Sequence, residues 1–177
     1  MSNIVIQGIG FAAVLLFLLS FQIKSNKKLF LFQLLGSALF CLQFFLLGAY
    51  SGAISLIAIM CRNALLMKVR DWPWVKSKKT LAVFLVVFAG ISAFTWEGLY
   101  SLLPLYAMLG TTISYWTDNA QKIRLGILIF DVPGWLIYDF IVGSWGGMLN
   151  ETITLISALV SIWRYGWKSM GEDDSGF

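Results

Sequence analysis

Apolar runs of bilayer-crossing length dominate this chain, and only short polar loops separate them. A membrane-spanning helix needs about 20 apolar residues, within a range of roughly 17–25. Seven segments meet that length: about 4–23, 29–48, 51–69, 80–96, 99–116, 123–143 and 145–165. In hydrocarbon every backbone N–H and C=O must be satisfied within the protein, so such runs fold as helices. Charged residues make up 12% of the chain, against roughly 25% in a soluble domain. Little chain is left for anything outside a lipid bilayer. The expected fold is an all-α membrane protein with seven transmembrane helices.

The loops set a direction. Lys24, Lys27 and Lys28 lie between spans 1 and 2, and Lys68, Arg70, Lys76, Lys78 and Lys79 between spans 3 and 4. Lys122 and Arg124 follow span 5, and Arg164 and Lys168 close span 7. All fall on one side. The opposite loops, "GAYSGA", "TWEGLYS" and "VGSWGG", hold no Lys or Arg. The positive-inside rule then places the N-terminus outside and the C-terminus in the cytoplasm. The first span is no cleaved leader on this reading, because "MSNIVIQG" has no basic residue and Lys24 comes after the apolar run. Trp72, Trp74, Trp116 and Trp167 fit an inner aromatic belt, and Trp96 and Trp145 an outer one. The net charge of +4 is spread over loops, so it marks topology and not a nucleic-acid surface.

A shift of 95 residues aligns the two halves: "FLLGAYSGAIS", Phe45 to Ser55, falls on "FIVGSWGGMLN", Phe140 to Asn150. Lys27 falls on Lys122, and the loop before each second helix coincides. The chain therefore reads as two parallel three-helix repeats joined by a linker helix, a 3+1+3 plan. Residues 1–70 form the first repeat, 71–98 a cytoplasmic loop and the linker helix at about 80–96, 99–167 the second repeat, and 168–177 a cytoplasmic tail ending in "GEDDSGF". Parallel repeats about an axis along the membrane normal are one plan for transporters.

Chemistry narrows next. The chain has no histidine, which excludes a Ser-His-Asp or Cys-His set and a histidine metal site. Cys41 and Cys61 lack C-x-x-C spacing and read as packed thiols. With no nucleotide loop and no nucleophile–base pair, neither an enzyme nor a cofactor is expected.

The polar residues inside the spans carry the functional reading. Asn150, Thr154, Ser157 and Ser161 recur at helical spacing on span 7. Ser51, Ser55 and Arg62 do so on span 3, and Ser55 meets Asn150 under the 95-residue shift. Such stripes either pack helices closely or line a wet interior, and the coincidence between halves favours the interior. Arg62 and Asp131 sit at similar depth, about 8–10 Å and about 12 Å from the inner ends of their helices. A charge at that depth costs about 2.5–3.5 kcal/mol unless paired or wetted, so the two are expected to approach, directly or through water, unless Asp131 is held neutral. Pro133 frees the carbonyl of Ile129 and Pro104 acts likewise in span 5; both are expected to bend helices, and the free carbonyl to take a water or a substrate. Trp135 lies near mid-depth. Asp139 and Glu151 lie nearer the outer mouth, where they attract cations or reach headgroup water.

These features resemble the SWEET/semiSWEET and PQ-loop superfamily. Within it, Gly8 to Ala53, "GIGFAAVLLFLLSFQIKSNKKLFLFQLLGSALFCLQFFLLGAYSGA", resembles the bacterial inner-membrane family called YgjV. The resemblance implies a bacterial inner-membrane location, a cavity between two triple-helix units, and self-association into homo-oligomers. It also implies a substrate-facing asparagine, a role open to Asn150. The mate of Asn150 is Ser55, and no PQ dipeptide is present, so sugar specificity does not follow.

Two functions fit. The first is a small-solute facilitator, binding its solute near mid-membrane among Ser55, Arg62, Asp131, Trp135, Asn150, Thr154 and Ser157, with two bundles rocking about bends at Pro104 and Pro133. The second is a non-transporting membrane protein, such as a receptor, assembly factor or complex subunit, with a dry interior.

Overall fold

The structure is a computed structural model that describes residues 3–20, 26–69, 71–117 and 119–165. Lys24, Arg70, Trp167, Lys168 and the expected tail 168–177 lie outside the described residues, as does the end of the first expected span at 21–23. The described residues form seven helices and no strand. These are α1 (Asn3–Ser20), α2 (Asn26–Leu47), α3 (Tyr50–Leu66), α4 (Lys78–Phe94), α5 (Leu102–Trp116), α6 and α7 (Trp145–Tyr165). Helix α6 is composite. Ala120–Gly126 leads into a widened π-turn at Ile127–Asp131 and then into Val132–Val142. Within it, Gln121–Val142 is long and apolar enough to cross a membrane, while Asn3–Leu19, Leu31–Leu47 and Tyr50–Leu66 are shorter apolar helices.

Local chemistry explains the ends. Ser77 caps α4 by accepting from the Thr80 amide at 3.1 Å, and Asn119 caps α6 by accepting from the Lys122 amide at 3.0 Å. At the other end of the molecule, α2 and α6 finish in matching turns. Gly48 and Gly143 take the left-handed conformation, φ 77° and 73°, which glycine adopts without a Cβ clash. Behind them the Ala49 amide bonds the Phe44 carbonyl at 2.9 Å, and the Ser144 amide bonds the Asp139 carbonyl at 2.8 Å. These residues are 95 apart in each case, the offset seen in the sequence.

The π-turn answers Pro133. Proline has no N–H to give the carbonyl four residues back, and its ring crowds that carbonyl. The turn widens there, and the Tyr106 hydroxyl of α5 donates to the orphaned Ile129 carbonyl at 2.9 Å. The expectation of a carbonyl open to water or substrate is therefore corrected. The bend expected at Pro104 is corrected too: it stands third in α5, after a short 3-10 turn at Leu99–Ser101. The opening turn of a helix needs no amide there, so Pro104 starts the helix.

Packing closes the helices into a ring. Neighbours run α1–α2–α3–α5–α6–α7 and back to α1, with α4 laid against α3 and α5. Small residues bring helices close. A Cβ at Gly146 would strike the backbone of Gly10, and one at Gly110 would strike Phe130, so α1–α7 and α5–α6 approach as small-residue membrane interfaces do. Large apolar side chains such as Val86, Phe94, Phe140 and Trp163 face outward, as a lipid environment requires. Trp72, Trp74, Trp96 and Trp145 are exposed, and Cys61, expected to pack, is exposed as well.

Candidate functional site

Inside the ring lies a cavity of about 210 Å³ walled by α1, α2, α3, α5, α6 and α7. Its apolar wall is aromatic: Phe17, Phe40, Phe44 and Trp135, with Tyr115. Phe44 and Trp135 stack at 6.0 Å and 13° between planes. The polar wall carries Ser37, Asn63, Asn150, one guanidinium at Arg62, and three carboxylates at Asp131, Asp139 and Glu151. The widened turn in α6 sets the last of these on one face: Asp131, Trp135 and Asp139 follow at four-residue spacing into the cavity.

Arg62 is 2% exposed, and its donors are used across the ring. Its Nη1 donates to Thr112 Oγ1 at 2.7 Å and to Thr111 Oγ1 at 3.1 Å. Nε and Nη2 both donate to Asn63 Oδ1 at 3.1 Å. The Tyr115 ring lies under the guanidinium, 4.9 Å from its carbon, a favourable cation–π placement. Asp131 feels the charge of Arg62 through space, and the Trp135 indole turns toward its carboxylate. The ion pair among the described residues is elsewhere, Lys68 with Asp71 at 3.6 Å. Arg62 and Asp131 thus share a cavity without a direct contact.

Hydrogen bonds tie the helices together at the end where the loops hold no Lys or Arg. Glu97, between α4 and α5, accepts from the Tyr50 amide at 2.8 Å and from the Ser51 hydroxyl at 2.7 Å. Tyr138 of α6 joins them: its hydroxyl accepts from the Gly52 amide at 2.8 Å and lies 2.9 Å from Ser51 Oγ. Across the ring, Gln7 of α1 donates to the Gly143 carbonyl at 2.7 Å and accepts from the Trp145 amide at 3.1 Å. Gln43 of α2 accepts from the Ser144 hydroxyl at 3.1 Å. Toward the basic end a second cavity, about 340 Å³, adjoins the first at Asn63 and Tyr115 and is lined by Gln33, Met67, Lys76 and Ile123. Lys76 is partly buried there, which holds its ammonium below the usual lysine value.

The sequence-derived residues divide. Arg62, Asp131, Trp135, Asn150, Asp139 and Glu151 line the cavity. Asp139 and Glu151, expected near an outer mouth, are buried at 2% and 9% exposure. Ser55 is buried but off the wall, and Thr154 and Ser157 are not among the lining residues. The inward face of α7 runs through Gly147, Asn150, Glu151 and Ala158; Ser157 lies one step round and is exposed. Ser161 instead takes a 3.0 Å hydrogen bond from Arg124. Thr111, Thr112 and Tyr115 were missed, because nothing on α5 alone signals that α3 reaches it. Among the described residues no group of three or more His, Cys, Asp or Glu is placed to hold a metal ion.

Comparison with known proteins adds a family. A family profile, Imp-YgjV, described as a bacterial inner membrane protein, matches residues 4–169. The chain is also 28% identical over 164 residues to "Inner membrane protein YgjV" of Escherichia coli (strain K12), covering 92% of this chain and 84% of that protein. No solved structure matches.

Proposed function

Because this chain belongs to the YgjV family of bacterial inner membrane proteins, we propose that its ring of helices is a facilitator for a small solute. The solute binds in the cavity bounded by Arg62, Asp131, Trp135 and Asn150. Helices α1–α3 and α5–α7 act as two parallel bundles with α4 as their linker, the N-terminus periplasmic. The matching turns at Gly48 and Gly143 support the pairing of the bundles, and the one-sided basic residues support the direction. The chemistry is binding and passage, not bond-making.

The observation that carries this reading is the cavity's asymmetry. Charged and polar side chains line the cavity, hydrogen bonds tie the helices together at the Lys/Arg-free end, and a second cavity adjoins it toward the basic end. Both sets of bonds join one bundle to the other: Ser51 and Gly52 to Tyr138, and Gln7 and Gln43 to the Gly143–Trp145 turn. Breaking those bonds while closing the basic end would open the periplasmic side, which is a rocking exchange about a fixed site. Arg62 links the bundles at the centre through Thr111 and Thr112 and is the natural partner for an electron-rich group on the solute.

Uptake of a panel of sugars, nucleosides, amino acids and amines into proteoliposomes tests the proposal. Uptake that is lost in Arg62→Ala and Asp131→Ala, with both variants eluting as folded protein, supports it. Uptake equal to the wild type in both variants removes the site from the mechanism.

A further inference from the structure

Acids outnumber bases on the cavity wall, and the excess has a location. Three acids share the wall with one guanidinium, most of whose N–H groups already serve Asn63, Thr111 and Thr112. Asp139 and Glu151 stand toward the Lys/Arg-free end, about 6 Å and about 10 Å along their helices from the Gly143–Ser144 turn. Each has one carboxylate oxygen, Asp139 Oδ1 and Glu151 Oε2, that is buried and without a hydrogen-bond partner. A buried polar atom left unpaired is destabilising, more so when charged. Two such atoms on the wall of one cavity mark a place where a bound group would gain partners.

What would satisfy both atoms is constrained. The other Glu151 oxygen already accepts from Asn150 Nδ2 at 3.1 Å, so the carboxylate is oriented to receive a donor or a positive charge. A proton shared between the two orphan oxygens is the alternative occupant, and it leaves no affinity for an ammonium probe. A metal ion is disfavoured by the lack of a third ligand of the usual kind among the described residues. The remaining surroundings are apolar: the stacked Phe44 and Trp135 rings and Phe40, with Leu56 and Ile59 beside them. Carboxylates among aromatic faces suit a weakly hydrated organic cation, whose charge the ring faces attract. Gly147 makes the placement feasible, since a Cβ there would strike the Asp139 carboxylate.

We propose that Asp139 and Glu151 bind the alkylammonium group of the solute at the Lys/Arg-free end of the cavity, with Phe40, Phe44 and Trp135 as its aromatic walls. This rests on the transport reading and narrows it to cationic or zwitterionic solutes. Arg62, toward the basic end, then meets any electron-rich group at the solute's other end.

The test uses the full-length protein in detergent, with choline and tetramethylammonium as probes, the uncharged tert-butyl analogue of choline as the neutral control, and sodium chloride as the inorganic control. Binding is read from saturable shifts in the thermal unfolding midpoint. Both ammonium probes are expected to stabilise the protein, the neutral analogue not at all, and Asp139→Asn and Glu151→Gln to weaken probe binding by at least about tenfold. Asn and Gln keep the shape of the acids, and Phe94→Ala on the outer face serves as a variant that keeps binding. Stabilisation by the neutral analogue, by sodium alone, or equally in both acid variants would overturn the proposal. Proteoliposome uptake of the same probes separates it from the transport reading: acid-dependent binding without passage upholds the cation site and refutes transport, whereas passage of only neutral or anionic solutes does the reverse.

Discussion

Arg62 of α3 donates a 2.7 Å hydrogen bond to Thr112 of α5, although a carboxylate, Asp131, stands on the wall of the same cavity. The cation is thus held by neutral hydroxyls and its charge is left to act across the cavity. The Thr111 and Thr112 hydroxyls donate to the Ala107 and Met108 carbonyls at 2.7 Å and 2.6 Å, which turns their lone pairs toward Arg62. Thr112→Val keeps the shape and removes the acceptor. A hydrogen bond to a charged group is worth about 1.5–3 kcal/mol, so Thr112→Val is expected to lower stability by that amount in detergent unfolding. Asp131→Asn, which breaks no direct contact with Arg62, is expected to lower it by less.

Tyr106 and Pro133 form a dependent pair. The tyrosine hydroxyl serves the Ile129 carbonyl that the proline leaves without a donor. Tyr106→Phe is expected to destabilise the protein by about 1 kcal/mol. In a Pro133→Ala background, where an amide is restored, the same change is expected to have a much smaller effect. Unfolding free energies around this double-mutant cycle give the coupling directly; strictly additive effects would refute the pairing.

Gly146 and Gly8 lie on neighbouring helices with opposite surroundings. A Cβ at Gly146 meets the backbone of Gly10, whereas one at Gly8 meets open space. Gly146→Ala is expected to force α1 and α7 apart at about 1–3 kcal/mol, and Gly8→Ala to stay within about 0.5 kcal/mol of the wild type. Thermal unfolding of the two variants side by side checks this.

Tyr138 is the side chain that ties α6 to α3 at the Lys/Arg-free end. Tyr138→Phe strips one hydroxyl from it and leaves the Gly52 amide unserved. A loss of about 1–2 kcal/mol changes a two-state ratio by roughly 5- to 30-fold. In a chain with Cys41 and Cys61 replaced by alanine, an Asn150→Cys thiol is expected to react faster from the Lys/Arg-free side by that order when Tyr138→Phe is added.

Much of the helical plan was legible because it depends on local chemistry. Apolar run length located the seven helices, and the glycine in "LLGAYSGA" and "IVGSWGGM" marked turns that only a left-handed residue closes. The depth argument put Arg62 and Asp131 at similar levels because helical rise is fixed. What failed depends on which helices meet. The polar stripe on α7 did not reveal that its inward face passes through Ala158 and not Ser157. A free carbonyl at Ile129 followed from Pro133, but its partner sits 23 residues away on α5. The cavity's phenylalanines carried no signal in a chain with 14 of them, since a phenylalanine suits lipid as well as a binding wall. Asp139 and Glu151 were seen as acids near an end; their burial follows from α1 and α2 closing over that end through Gln7 and Gln43.

The most direct measurement is aqueous access to the cavity. Single cysteines at Ser37, Asn63 and Asn150, on three different walls, are introduced in the Cys41→Ala, Cys61→Ala background, with Ile129→Cys on the lipid-facing side as reference. A membrane-impermeant thiol reagent is then added from one side or the other. The expected result is labelling of all three from the Lys/Arg-rich side, slow labelling from the opposite side, and none at Ile129→Cys. Failure of all three to react from either side, like the lipid-facing reference, would mean the interior is dry and would contradict a solute path between the bundles.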